Sequence, residues 1–360
     1  MPVAAIVSFR LGGHDGVSVV ASSWIRALRA LGFHTVTVAG EGPVDRLLPG
    51  LAIGAAVPPV PAALSIALAD ADLVVVENLC TIPMNLAASD MVADTLRGRP
   101  AIMHHHDPPW QRERFEHITR PPYHDPAWRH VTINDLTRLQ FEARGMPATT
   151  IYNGFDVDVG PGNRLATRRL LGVAPDERLF IHPVRAIARK DIPTAIRMTE
   201  VLGGTYWLLG SAEEGYDREL EQLLANARCR VLRGWPGEMT DAYAASDVVL
   251  FPSTWEGFGN PPIEAALHRK PCVVGPYEVA DELLAMGFRW FPSSNPEPLA
   301  AYLRHPDQTL LDWNQAIARD RFSQRRVCDD LARLIGGMPE VHLEVTRPAR
   351  AGLAGATVDG

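Results

Sequence analysis

Short apolar runs recur along the chain, separated by helix-length amphipathic stretches, and that alternation predicts layered α/β structure around parallel sheets. Ala4–Ser8 is the first run, apolar on consecutive positions as a strand covered on both faces should be. Behind it Val17, Val20, Ala21, Trp24, Leu28 and Leu31 fall on one helical face that stops at Gly32, and Thr35–Ala39 returns as strand. Further strands are expected at Leu73–Glu77, Ala101–His105, His130–Ile133 and Thr149–Tyr152, with a helix over Asp135–Arg144 before Gly145. The turn-rich residues 156–163, Asp-Val-Asp-Val-Gly-Pro-Gly-Asn, break the rhythm and suggest a linker. A second series then begins, with strands at Arg178–His182, Tyr206–Leu209, Arg230–Leu232, Val248–Phe251 and Cys272–Val274, and one or two closing helices between Pro306 and Ile335. The expected division is a Rossmann-like domain over 1–157, a second over 158–320, a closing helix over 321–335 and a loosely ordered tail over 336–360. Ligands of such sheets lie at the carboxyl ends of the strands, in the cleft between the domains.

Composition narrows the field. The 360 residues are 46% hydrophobic and 21% charged, ordinary for globular domains, and the formal charge of -7 argues against broad nucleic-acid binding. No apolar run reaches the roughly 18 residues of a membrane span. The start, Met1-Pro-Val-Ala-Ala-Ile-Val-Ser8, runs straight into a strand and does not resemble a signal peptide. Four scattered cysteines, Cys80, Cys229, Cys272 and Cys328, form no CxxC pair and fit a reducing cytoplasm without structural zinc.

The densest chemistry lies in Glu256-Gly-Phe-Gly-Asn-Pro-Pro-Ile-Glu264, directly after the strand ending at Phe251. Gly257 and Gly259 allow close backbone approach around Phe258, and Asn260 with the following prolines opens a helix whose start attracts an anion. Each carboxylate is better suited to hydroxyls than to that anion: Glu256 to those of a sugar, Glu264 to those of a ribose. Three further signals accompany it. They are Arg185-Ala-Ile-Ala-Arg-Lys190, the loop Gly12-Gly13-His14-Asp15-Gly16, and His104-His-His106-Asp107 at a strand end.

In this order the motifs resemble the retaining GT-B glycosyltransferases, in particular family 4, also called glycosyl transferases group 1, from about Ile6 to Phe322. The resemblance implies that Arg185 and Lys190 grip the donor diphosphate, with Arg189 a solvated neighbour, and fixed cations there would stabilise the charge left on the leaving group. It also implies that Gly12 and Gly13 border the donor phosphates, that Gly234 lies near the nucleobase, and that His106, with His105 as competitor, stands beside the transferred sugar. Arg10, His14, His105, Asp107, Trp110 and Arg112 lie at the first domain's mouth as acceptor-side candidates.

No metal is expected. Three successive histidines cannot all face one ion from an extended strand, and Asp156-Val-Asp158 falls in the linker. The bulky Leu267-His-Arg-Lys-Pro271 departs from the family's small residues at that place. The expected activity is retaining, metal-independent, front-face transfer of a hexose from a UDP- or GDP-sugar to a hydroxyl acceptor, by a cytoplasmic protein compatible with peripheral membrane contact and needing no cofactor. A GT-B nucleotide-sugar 2-epimerase and a silent nucleotide-sugar binding protein are the alternatives. A nicotinamide oxidoreductase falls on the missing GxGxxG.

Overall fold

The computed structural model describes residues 1–13, 15–235, 237–338 and 341. The first half builds a seven-stranded parallel sheet from β1 (Val3–Arg10), β2 (His34–Glu41), β3 (Arg46–Leu47), β4 (Leu73–Glu77), β5 (Ala101–His105), β6 (Trp128–Thr132) and β7 (Thr149–Thr150), in the order β3-β2-β1-β4-β5-β6-β7. The second builds a six-stranded one from β8 (Leu179–His182), β9 (Thr205–Leu208), β10 (Arg230–Arg233), β11 (Val248–Phe251), β12 (Cys272–Val274) and β13 (Phe291–Pro292), in the order β10-β9-β8-β11-β12-β13. The strand order reverses beside β1 in the first sheet and beside β8 in the second. A crevice therefore opens at the carboxyl ends of β1 and β4, and another at those of β8 and β11.

Helices cover both faces of each sheet, and the central strands are buried along their length for that reason. The helix Gly16–Ala30 starts on an Asp15 cap, whose carboxylate accepts from Ser18 N, and sinks Trp24 and Leu28 completely. Two helices close the chain, Gln308–Arg321 and Gln324–Gly336. The second crosses back: Phe155 N donates to Phe322 O, Gln324 N donates to Phe155 O, and Val327, Leu331 and Ile335 join the first sheet's core under Trp24 and Leu28. Gly154 lies in that crossing, where a Cβ would stand 2.6 Å from Val327 Cγ2. The expected tail falls, beyond Met338 and apart from Val341, outside the described residues. No helix among the described residues is long and apolar enough to cross a membrane.

Candidate functional site

Beyond β8 the chain enters one 3-10 turn, Ala188–Lys190, closed by Asp191 at φ 48°. Thr254 N donates to Arg189 O at 2.9 Å and lays that turn along the segment leaving β11. Lys190 Nζ thereby comes 2.5 Å from Glu256 Oε1, while Arg189 Nη1 reaches Oε2 at 2.9 Å and Trp255 O at 3.0 Å. Burial pushes the Glu256 carboxyl up, but Lys190 and then Arg189 outweigh it and hold it below the usual carboxylate range. Burial also draws the Lys190 ammonium down, against the pull of Glu256. The expected division between the arginines is altered here. Arg189 is no solvated neighbour, and Arg185 instead pairs with Glu213 at 2.6 Å on the surface.

The loop after Glu256 is shaped by glycine. Gly259 has φ 101°, and a Cβ there would lie 2.3 Å from the Tyr277 hydroxyl; one on Gly257 would press to 3.2 Å from His106 O. The N–H groups of Gly257, Phe258, Gly259 and Asn260 find no acceptor among the described residues, which leaves four donors in the turn where the helix Asn260–Leu267 begins. The Phe258 ring is core, packed edge-on against Phe322 at 5.6 Å, so only its backbone faces the loop. Two asparagines of the first half pin this loop: Asn134 Nδ2 donates to Gly257 O at 2.5 Å and Asn153 Nδ2 to Asn260 Oδ1 at 3.0 Å. Glu264, one turn further, accepts from the Tyr243 hydroxyl, and burial pushes its carboxyl up while that hydroxyl draws it down. His268, one of the bulky departures, stacks on Tyr243 at 4.7 Å and 9°. Gly234, at φ 71°, turns the chain after the edge strand β10 and accepts from Trp207 Nε1 at 3.0 Å.

The first half supplies the facing wall. Gly12, at φ 79°, has no room for a Cβ beside Pro43 and begins the turn through Gly13 into the Asp15 cap. Arg10 is drawn onto Asp15 at 3.3 Å, and His14 lies outside the described residues. At the end of β5 the three histidines separate. His104 Nδ1 and His106 Nε2 each lie 2.9 Å from Glu77 Oε2, whereas His105 turns the other way, between Thr81 Oγ1 at 2.7 Å and His130 Nδ1 at 2.9 Å. The alternation argument against three ligands holds, yet two of them do converge, with Glu77, into a group whose ligand atoms lie within 4.8 Å of one another. Glu77 escaped the sequence reading, although an acid closing the run Leu-Val-Val-Val was a visible signal.

The acceptor-side candidates disperse. His105 is buried in its own hydrogen-bonded file, and Trp110 donates to Gln140 at 2.8 Å beneath the Arg144 guanidinium. Asp107 Oδ2 takes an approach from Asn78 Nδ2 at 3.4 Å, and its Oδ1 borders Gly257. Arg112 reaches over the Trp255 ring at 4.5 Å, whose ring Arg189 also approaches at 5.3 Å, and so touches the second half's site.

Two doubly wound parallel-sheet units with a shared crevice define the GT-B fold, and solved glycosyltransferases share it. Anabaena HepE, in complex with UDP and glucose, aligns over 93% of this chain and 100% of its own at TM-score 0.76 and 21% identity. Sucrose-phosphate synthase from Thermosynechococcus elongatus aligns over 93% and 98% at TM-score 0.72 and 15% identity. Residues 176–316 match the family model Glycosyl transferases group 1, so the second half carries that domain. Among curated proteins, an uncharacterized glycosyltransferase of Methanocaldococcus jannaschii is 30% identical over 177 residues, 45% of either chain. Mannosylglucosylglycerate synthase of Petrotoga mobilis is 23% identical over 271 residues, 61% of this chain and 63% of its own. The chain thus spans less than two thirds of the length of either relative.

Proposed function

We propose that this protein is a glycosyltransferase that moves a hexose from a UDP- or GDP-sugar to a hydroxyl acceptor, with retention at the anomeric carbon and without a metal. The observation that carries this reading is the buried Lys190–Glu256–Arg189 group beside four free N–H donors at a helix start. As the anomeric C–O bond breaks, its electron pair goes to the diphosphate oxygen, and a cation with preorganised N–H groups in a buried site stabilises that charge. The acceptor oxygen bonds to the same face of the sugar, and its proton passes to the departing oxygen. Neither carboxylate of the motif is arranged as a covalent nucleophile: Glu256 is held by two cations and Glu264 by Tyr243. Glu264 keeps Oε1 for ribose hydroxyls, and Glu256 orients the sugar. The likeness to a protein crystallised with UDP and glucose supports a uridine donor.

The test is nucleoside diphosphate release from UDP-glucose and GDP-mannose, with and without polyol and sugar acceptors, and the anomeric proton coupling of any product. Acceptor-dependent release with a retained anomer supports the reading. Isomerised sugar without acceptor would make the protein an epimerase, and donor binding without turnover a silent binder.

A further inference from the structure

Glu77 stands opposite His104 in the β4–β5 ladder, and its carboxylate is fully buried. One oxygen serves two imidazoles. Oε2 lies 2.9 Å from both His104 Nδ1 and His106 Nε2, while Oε1 has no partner. Two-residue alternation brings both rings to one side of β5, and Trp24, stacked on His104 at 4.0 Å, closes the group from behind. Burial pushes the Glu77 carboxyl up, but the two histidines outweigh it and hold it down at about 2.

An ionised carboxylate only accepts, so the nitrogens facing it carry the hydrogens. His106 Nε2 thereby donates to Oε2, and Nδ1 is the ring atom left for another partner. A tetrahedral zinc fits the distances less well. Tetrahedral coordination at about 2.1 Å would hold donor atoms roughly 3.4 Å apart, whereas 2.9 Å is the N–H···O length.

We propose that Glu77 is a positioning residue for sugar transfer, which fixes His106 in the Nε2–H tautomer so that Nδ1 accepts a hydrogen bond from a hydroxyl of the transferred hexose. This rests on the transferase reading. His104 takes the second N–H bond and keeps the carboxylate from turning away.

Glu77→Gln keeps the shape and removes the charge. Its amide oxygen can take the Oε2 place and accept from both imidazoles, with the NH₂ at the unpartnered Oε1 position, so what is lost is the charge that makes His106 Nδ1 the stronger acceptor. Transfer by Glu77→Gln is expected to fall roughly 10–100-fold in kcat, the usual loss when the group behind a working histidine is changed without moving the ring. The KM for the donor should change less than about threefold, since only transition-state stabilisation is lost. In a His106→Ala background the same substitution should cost less than about twofold more, because its effect passes through His106.

Long-range ¹H–¹⁵N spectra of the wild-type chain read the tautomer directly and need neither activity nor a folded variant. A His106 ring protonated on Nδ1, equal losses in both backgrounds, or stoichiometric zinc in the purified protein would overturn the proposal. Absence of transfer by the wild type would sink the transferase reading instead, with the tautomer still legible in the same spectra.

Discussion

The Lys190 ammonium lies 2.5 Å from Glu256 Oε1, with side-chain exposures of 10% and 9%. Neither charge has water to fall back on, and removing one partner of such a pair typically costs about 3–5 kcal/mol. Arg189 stays on Oε2 and softens the loss. Lys190→Met is expected to lower stability by about 3 kcal/mol in urea unfolding and to reduce transfer roughly 10²–10³-fold. The Lys190→Met/Glu256→Gln double variant should regain most of the stability and none of the activity. Wild-type turnover by Lys190→Met would remove this lysine from leaving-group stabilisation.

Both members were legible as site candidates because they sit in short motifs beyond strongly apolar strands, although their pairing was not. The central strands were legible for a related reason: burial on both faces writes an unbroken apolar run. The edge strands Arg46–Leu47 and Phe291–Pro292 are too short to show any period. Asn134 and Glu282 were invisible because their partners lie 123 and 147 residues away. The inward place of Arg189 was not legible because a string of charges does not reveal which member a single 3-10 turn points inward. The C-terminal helix was read as a closing piece, while its apolar side in fact completes the first sheet's core.

Arg185 offers a clean contrast with Arg189. Its bond to Glu213 is exposed on both sides, at 38% and 43%, and surface pairs contribute about 0–1 kcal/mol. Arg185→Ala should therefore melt within a few degrees of wild type, yet lose about tenfold or more in donor turnover as the guanidinium leaves Glu213 for the diphosphate. Glu213→Gln should leave transfer unchanged. If Arg185→Ala turns over normally while Arg189→Ala does not, the diphosphate belongs to Arg189.

Acid should unsettle the first half before the carboxylates titrate. His105, His130 and His124 form a file, with His130 Nε2 3.2 Å from His124 Nδ1, and burial and then His124 push His130 down to about 4. Burial, with a smaller push from Lys190, takes His182 in the second half down to about 3. An unfolded histidine titrates near about 6.5, so below that pH the unfolded chain binds more protons. The stability these histidines contribute is complete above 6.5 and is lost as pH falls from there toward 4. Melting temperatures between pH 7.5 and 4.5 should fall on that schedule, and His130→Gln should flatten the slope by up to about 3 kcal/mol. A flat profile down to pH 5 would contradict the depressed titration of His130 and His182.

Glu282 ties the two halves together at the far side of the crevice. Its Oε1 accepts from Asp135 N at 2.9 Å and from the Tyr152 hydroxyl at 2.6 Å, and Oε2 accepts from Leu136 N at 3.0 Å. A carboxylate from the second half thus caps a first-half helix start, where negative charge is favoured. Glu282→Ala strands two N–H groups and a phenol, each worth about 1–3 kcal/mol if it stays dry, and water satisfies them only when the halves part. The variant should therefore open: its radius of gyration without ligand should exceed that of the wild type, and saturating UDP-glucose should reverse part of the difference. Because closing the crevice then draws on binding energy, the donor KM should rise several-fold while kcat falls less. Unchanged scattering together with an unchanged KM would show that the asparagine contacts at Gly257 and Asn260 hold the crevice closed without Glu282.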